Sequence, residues 1–308
     1  MNKQKKSLPQ KFANLELLAR QVVEGFITGM HKSPFHGFSV EFAEHRIYNS
    51  GESTRHIDWR LFGRTEKLFV KKFEEETNLR CQIIIDNSSS MHFPSYSNKD
   101  LPSKIGFALE CAACLSYILR KQRDAVGLTI ISDQTELHTP ARSSGMHHKL
   151  LLTELQKLYS ENNLAIGKTT NTAKLLHEVA EKIHKRSLVI IFSDMIDNTS
   201  PNEELYSALQ HLKHAKHEVI LFHVYEKNKE LDFDFGSKPA KFIDMETGKE
   251  IKLNPLDIRE IYQKRIEERF AEVKLKCMQY RIDFVEADIN KGYAQVLMNF
   301  FAKRKTLH

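Results

Sequence analysis

The 308-residue sequence has little of what marks a secreted or membrane-spanning protein. Its four cysteines all lie in apolar segments, which does not suggest a disulfide framework. No apolar run approaches the roughly 18–20 residues that a membrane helix needs. The basic N-terminus is followed by a charged stretch with helical periodicity, where a signal peptide would have an apolar core. We therefore expect a cytoplasmic protein without an integral membrane segment.

Common nucleotide-binding and hydrolase signatures are also missing from the sequence. It has no Gly-x-x-x-x-Gly-Lys phosphate loop, no Gly-x-Gly-x-x-Gly after a strand and no Gly-x-Ser-x-Gly elbow. The net charge is +6, but basic and acidic residues are interleaved almost everywhere, without a basic stripe that carries stacking aromatics. We therefore expect no nucleic-acid partner and none of these enzyme classes.

Strand-like and helix-like segments alternate through most of the chain. The strand-like segments are short runs rich in β-branched residues, and the segments between them are amphipathic with helical periodicity. The predicted strands are 79–86, 125–132, 187–194, 218–225 and, as a weaker fifth, 281–288. The predicted helices are 103–122, 146–160, 171–185, 201–216 and 255–280. This alternation predicts an α/β fold with a doubly wound, mostly parallel sheet and helices on both faces.

Three segments depart from this alternation. Residues 135–139 follow a strand closely, which predicts a hairpin partner and one antiparallel edge. Residues 231–252 alternate Phe and Asp and contain a Thr-Gly turn, which predicts a small hairpin excursion. Residues 1–78 do not follow the pattern after an amphipathic helix at about 10–29. We therefore predict an N-terminal helix with a small accessory β module over 1–78 and a larger domain over 79–308.

Polar residues follow the most apolar strand, in the stretch "DNSSS". Asp86, Ser88 and Ser90 offer one carboxylate and two hydroxyls where the chain can curl over the strand end. Thr170 stands just before a helix, and Asp194 ends a neighbouring strand. Because the carboxyl ends of parallel strands meet at one edge of a sheet, these five side chains can converge. Their hard oxygen atoms suit Mg²⁺ or Mn²⁺ better than zinc.

The pattern Asp-x-Ser-x-Ser, with a later Thr and a later Ser-Asp, resembles the metal-ion-dependent adhesion site of von Willebrand factor type A domains. The preceding stretch "HIDWRLFGRTEKLFVKKFEEETN" resembles the bacterial family called domain of unknown function 58, or DUF58. This resemblance implies a von Willebrand factor A-like fold and assigns the role of metal ligand to the five residues above. Thr169 stays an alternative to Thr170, because "KTTN" permits a slip of one residue.

The same resemblance implies a function. It implies a partnership with MoxR-type AAA+ ATPases that remodel or activate client complexes, so we expect a Mg²⁺-dependent protein-binding adaptor and not an enzyme. The alternative is a metal-dependent hydrolase of phosphate esters that uses the same strand ends. If Asp86 were a nucleophile, a general acid two positions further on would be needed, and this chain has Ser88 there.

Two further motifs have ordinary structural explanations. Cys111 and Cys114 form a Cys-x-x-Cys pair in an apolar segment, which predicts buried core thiols rather than a zinc or redox site. In "HLKHAKH", His211 and His214 share one helix face and His217 turns away from it. This spacing predicts a solvated helix face.

Overall fold

A computed structural model of the protein describes residues 15–27, 41–48, 57–74, 79–94, 102–160, 171–196, 202–245 and 247–307. The chain divides into two compact units, one within Phe35–Leu79 and the other formed by the remainder. The helix predicted at about 10–29 is Leu15–Ile27 (α1), and it packs on a helix of the larger unit. The division of the chain at 78/79 stays a prediction.

The smaller unit contains a two-stranded antiparallel sheet and a short helix. Its elements are β1 (Glu41–Ile47), α2 (Trp59–Thr65) and β2 (Phe69–Glu74). The Asp58 carboxylate accepts the backbone N–H groups of Arg60 and Leu61 at 3.0 and 3.1 Å. These bonds satisfy two of the donors that a helix start leaves without an intrahelical partner, so Asp58 determines where α2 begins.

The larger unit is built on a six-stranded sheet. In chain order its strands are β3 (Arg80–Asp86), β4 (Ala125–Ile131), β5 (Thr135–His138), β6 (Leu188–Ser193), β7 (Glu218–Tyr225) and β10 (Asp283–Asp288). Between β7 and β10 the chain forms a separate antiparallel hairpin of β8 (Ala240–Ile243) and β9 (Glu250–Leu253). Neighbouring strands are parallel except β5, which pairs antiparallel with β4 at one edge. The five predicted strands, the antiparallel edge and the hairpin excursion are confirmed.

Helices pack against both faces of this sheet. They are α3 (Lys104–Lys121), α4 (Gly145–Ser160), α5 (Thr172–Lys182), α6 (Asn202–His214), α7 (Pro255–Gln279) and α8 (Tyr293–Leu307), and α1 packs on α3. Helices α5, α6 and α7 share a buried cluster with Ile84, Ile191 and Leu221 of the sheet. Phe222, whose side chain points to the other face, meets Phe300 of α8 with ring centroids 5.1 Å apart. The predicted α/β architecture with a mostly parallel sheet is confirmed, whereas α8 was not predicted.

Strand β3 lies inside the sheet, in the spatial order β10-β7-β6-β3-β4-β5. The chain adds β4 and β5 on one side of β3 and then crosses over to add β6, β7 and β10 on the other side. The direction of winding therefore reverses between β3 and β6, and in open α/β sheets ligands bind outside the carboxyl ends of the strands at such a point. Asp86 ends β3 and Asp194 directly follows β6, so both lie at this point.

His148 is a buried histidine of α4 that links stability to pH. Its Nδ1 lies 3.1 Å from the hydroxyl of Ser116 in α3. Burial, with smaller contributions from the charges of Arg120 and His147, lowers the pKa of His148 to about 4. The unfolded chain takes up a proton near pH 6.5. The contribution of His148 to stability is therefore complete above about pH 6.5 and is lost as the pH falls from there to about 4.

We expect His148→Gln to make the fold less sensitive to acid. The decrease in the free energy of unfolding between pH 7 and pH 4.5 should be smaller by about 2–3 kcal/mol, since about two pH units separate the unfolded pKa from pH 4.5 and each corresponds to about 1.4 kcal/mol. Urea titrations at the two pH values measure this difference, and His214→Gln, at an exposed position, is the control. An unchanged pH dependence in His148→Gln would contradict the assignment.

Candidate functional site

The segment after β3 folds back over the end of its own strand. Asp86 is 1 % exposed; its Oδ1 accepts the backbone N–H of Ser88 at 2.9 Å, and its Oδ2 accepts the hydroxyl of Ser193 at 2.7 Å. The hydroxyls of Ser88 and Ser90 lie 3.1 Å apart at the start of the short 3₁₀ turn Ser89–His92. The loop thus holds the carboxylate and both predicted hydroxyls together.

Asp194 lies on the loop that follows β6, the neighbour of β3. Its Oδ1 accepts the backbone N–H of Ile196 at 3.0 Å, and the nearby hydroxyl of Ser90 contributes to lowering the pKa of its carboxylate. Four of the five predicted site residues therefore lie together: hydrogen bonds join Asp86, Ser88 and Ser90, and Asp194 lies close enough for its charge to raise the pKa of Asp86. Thr170 and its alternative Thr169 lie outside the described residues, so their place in the cluster stays a prediction.

A buried lysine that the sequence analysis did not single out belongs to the same cluster. Lys104, at the start of α3, is 0 % exposed, and its ammonium donates to Asp194 Oδ2 at 2.8 Å and to the carboxylate of Glu230. Glu230 belongs to the turn Lys227–Leu231, which follows β7. Burial alone would lower the pKa of Lys104, but the two carboxylates outweigh burial and raise it, so the ammonium stays charged.

The carboxylates of the cluster carry more charge than Lys104 neutralises. Burial, and then the charge of Asp194, raise the pKa of Asp86 to about 6 against the opposing effect of the Ser193 hydroxyl. Burial also raises the pKa of Glu230, whereas for Asp194 the ammonium of Lys104 outweighs burial and lowers the pKa. With all three carboxylates ionised, two negative charges are left over, which is the charge that one divalent cation neutralises.

The donor atoms of the cluster fit a hard divalent cation. They are carboxylate and hydroxyl oxygens, and Mg²⁺ is usually held by one or two carboxylates while it keeps several waters. Within the part of the chain that the structure describes, no group of three or more His, Cys, Asp or Glu side chains is placed to hold a metal ion. A cation here would therefore depend on the serine hydroxyls and on water, and it would share Asp194 with Lys104.

A cleft of about 270 Å³ opens beside the cluster. Ser90 and Glu230 line its polar side, and aromatic rings including those of Phe235, Phe242 and Tyr262 line much of the remainder. Phe235 and Phe242 pack edge to face, with centroids 4.9 Å apart. The polar cluster thus adjoins an apolar surface that is large enough to receive a side chain.

The Cys-x-x-Cys pair lies in the core, as predicted. Cys111 and Cys114 are free thiols on α3 and are 0 % and 1 % exposed. Burial, with a smaller contribution from the charge of Glu110, raises the pKa of Cys114 to about 12. A thiol in this state is a poor nucleophile and a poor metal ligand.

The fold and the cluster define an α/β protein with a polar site at the carboxyl ends of its parallel strands. Residues 44–272 match the family described as "Protein of unknown function DUF58", so the chain belongs to the DUF58 family. Uncharacterized protein Rv1480 of Mycobacterium tuberculosis and uncharacterized protein Mb1516 of Mycobacterium bovis are each 23% identical to it over 212 residues. The chain covers 63% of the length of these relatives, and the match covers 69% of this chain.

Similar solved structures are more distant. BatB from Bacteroides thetaiotaomicron has a TM-score of 0.43 and 13% identity, covering 74% of this chain and 99% of its own. An aerotolerance-related membrane protein from Bacteroides fragilis has a TM-score of 0.44 and 13% identity, covering 75% and 100%. An uncharacterized membrane spanning protein from Vibrio fischeri has a TM-score of 0.24 and 14% identity, covering 74% and 98%.

Two of these neighbours are described as membrane proteins. This finding contradicts the predicted cytoplasmic location, which is withdrawn. That prediction was based on the absence of a signal-peptide core, of a disulfide framework and of a long apolar run, and such absences do not locate a protein. Among the described residues, no helix is both long enough and apolar enough to span a bilayer.

Proposed function

We propose that this protein is a Mg²⁺-dependent protein-binding adaptor with a von Willebrand factor A-like domain. Its partner would be a MoxR-type AAA+ ATPase that remodels or activates client complexes, as the family resemblance implies. The observation that carries the proposal is the cluster of Asp86, Ser88, Ser90 and Asp194, where oxygen donors from two neighbouring strand ends meet. Its surplus of two negative charges is further support.

Some residues of the site would bind the cation, and others would hold those ligands in position. The hydroxyls of Ser88 and Ser90 and the carboxylates of Asp86 and Asp194 would hold the cation, together with Thr170. When bound, the cation supplies a positive centre with coordination positions that an acidic side chain of the partner can fill. Bonds from Ser88 N–H and from the Ser193 hydroxyl fix the Asp86 carboxylate in place before a cation or a partner arrives.

The rival function, hydrolysis of phosphate esters, needs a base that can take a proton from water. Lys104, Glu230 and His223 are titratable groups close to the two aspartates. Lys104 is charged and bonded to Asp194 and Glu230, and Glu230 is held by Lys104. The Nε2 of His223 lies 3.0 Å from the backbone oxygen of Asp194. Lys104 and Glu230 are thus engaged with each other, and the Nδ1 of His223, which has no hydrogen-bond partner among the described residues, is buried away from water. This arrangement favours binding over catalysis.

We expect partner binding to require both the cation and Asp86. A purified MoxR-type ATPase should bind the wild type most tightly in a buffer that contains Mg²⁺. Its affinity should fall at least about tenfold when a chelator replaces Mg²⁺, and it should be equally low for Asp86→Ala in both buffers. Asp133→Ala is the matched control, because it removes an exposed carboxylate that follows the neighbouring strand β4. Calorimetry measures all of these affinities.

Two outcomes would count against the proposal. Equal affinities for the ATPase in wild type and Asp86→Ala, with and without Mg²⁺, would exclude a contact through the cation. Hydrolysis of a phosphate ester such as p-nitrophenyl phosphate that is lost in Asp86→Ala and kept in Asp133→Ala would favour the enzyme instead.

A further inference from the structure

Two histidines on neighbouring helices face each other outside the cluster described above. His177 of α5 and His211 of α6 are both half-buried, and their Nδ1 atoms lie 2.9 Å apart. The ring centroids are 5.2 Å apart and the ring planes are tilted by 40°. The two rings therefore meet nearly end to end, with one Nδ1 facing the other between the helices.

This pair corrects the prediction of a solvated face for the "HLKHAKH" motif. Of its three histidines, only His214 is exposed. His217 is buried, and its Nδ1 accepts the backbone N–H of Ser187 at 3.2 Å. His211 meets His177, which lies 34 residues earlier in the chain. Helical spacing within the motif could not reveal this contact, because the second residue belongs to another helix.

The helices hold the two rings in place through the core beneath them. Leu176 and Val179 of α5 and Leu209 and Leu212 of α6 are all 0 % exposed and belong to one buried cluster. Leu176 directly precedes His177 and Leu212 directly follows His211, so each histidine stands beside an anchored side chain. The approach of the two rings is thus determined by the packing of α5 on α6.

The distance between the two nitrogens is that of two ligands on one metal ion. In a hydrogen bond between two Nδ1 atoms, one imidazole donates its hydrogen and the other accepts. A metal ion can take the place of that hydrogen when the donor ring changes tautomer, so that its proton moves from Nδ1 to Nε2 and both neutral rings offer an Nδ1 lone pair. With metal–nitrogen distances of about 2.0–2.1 Å, two imidazole nitrogens on one ion lie from about 2.8 Å apart at a ligand angle of about 90° to about 3.4 Å apart at about 109°. The observed 2.9 Å lies at the short end of this range, and a rotation of the two half-buried rings brings both nitrogens onto one ion.

We propose that His177 and His211 form a binding site for a divalent transition-metal ion of the zinc class. Neutral imidazole suits Zn²⁺, Cu²⁺ and Ni²⁺, whereas Mg²⁺ selects oxygen donors, so this site and the Asp86 cluster differ in the metal they take. Water completes the coordination of the ion. With two protein ligands, occupancy follows the free metal concentration, and a bound ion links α5 to α6 and stabilises the folded state.

A titration of ZnCl₂ into the full chain tests the proposal, with excess Mg²⁺ present to occupy the oxygen-donor cluster. We expect the wild type to bind one equivalent of Zn²⁺ at this site. His177→Ala and His211→Ala should each fail to bind that equivalent or bind it at least about tenfold more weakly. His214→Ala should keep it, because that substitution removes an exposed histidine one turn further along the same helix. Zn²⁺ should also raise the melting temperature of wild type and His214→Ala, and of neither pair variant.

The double variant provides a second check. Because both rings would bind the same ion, the variant that lacks both histidines should bind Zn²⁺ no more weakly than a variant that lacks one. The proposal is overturned if the wild type takes up no Zn²⁺, or if either pair variant binds it as well as the wild type does. Circular dichroism without metal reports whether each variant folds. If an alanine variant does not fold, the glutamine variant at the same position, which retains bulk and a polar group, replaces it in the same titration.

Discussion

Replacing Lys104 with methionine should destabilise the fold by about 3–5 kcal/mol. The ammonium is the positive charge that Asp194 and Glu230 share inside the protein, and its side chain is 0 % exposed. Methionine has a similar length and no charge, so the packing is largely retained while the two carboxylates lose their partner. An uncompensated buried charge is among the most costly defects that a single substitution can introduce.

Urea denaturation at pH 7 measures this effect. The matched control is the triple variant Lys104→Met, Asp194→Asn, Glu230→Gln, which removes all three charges and should recover most of the loss. If a divalent cation binds the cluster, added Mg²⁺ should raise the free energy of unfolding of Lys104→Met more than that of the wild type, because the ion supplies the missing positive charge. A cost below about 1 kcal/mol for Lys104→Met would mean that the buried ion pair does not form in solution.

Truncation of Ile84 to alanine should cost about 2–5 kcal/mol. Ile84 is 0 % exposed in β3, inside the sheet, and belongs to the buried cluster shared with α5, α6 and α7. Its removal forfeits apolar contacts and leaves a cavity that the packed helices cannot fill. Ile84→Val is the matched control, and it should cost only about 0.5–1.5 kcal/mol because one methyl group is removed.

The nearby Asp86→Ala should leave stability nearly unchanged. It removes the hydrogen-bond acceptor of the Ser88 N–H and of the Ser193 hydroxyl, which costs about 1–3 kcal/mol. It also removes a carboxylate whose charged form is disfavoured by burial and by the charge of Asp194, as the raised pKa of Asp86 indicates. Removing that charge stabilises the fold and offsets the cost of the two lost hydrogen bonds. Chemical denaturation in the presence of a chelator compares Ile84→Ala, Ile84→Val and Asp86→Ala. If Asp86→Ala destabilised the protein as much as Ile84→Ala, Asp86 would be a structural residue.

Local patterns in the sequence determined most of the fold. A strand buried on both faces reads as a continuous apolar run, so β3, β4, β6 and β7 were evident, and β5 followed from its short distance to β4. Helix α8 was missed although Val296, Leu297, Phe300 and Phe301 recur with helical spacing and are buried. The signal for that helix was present in the sequence.

The candidate site likewise contains residues that the sequence predicted and residues that only the structure revealed. Asp86, Ser88 and Ser90 lie within five residues, so the geometry of one loop brings them together, and the end of a parallel strand places Asp194 beside them. Lys104 and Glu230 are 126 residues apart, and nothing near either residue in the sequence marks a charge pair. Only the packing of the start of α3 against the turn after β7 makes them partners, as only the packing of α5 on α6 joins His177 to His211. Backbone geometry acts over a few residues, whereas the pairing of distant charged or polar side chains depends on which elements the whole sheet brings together.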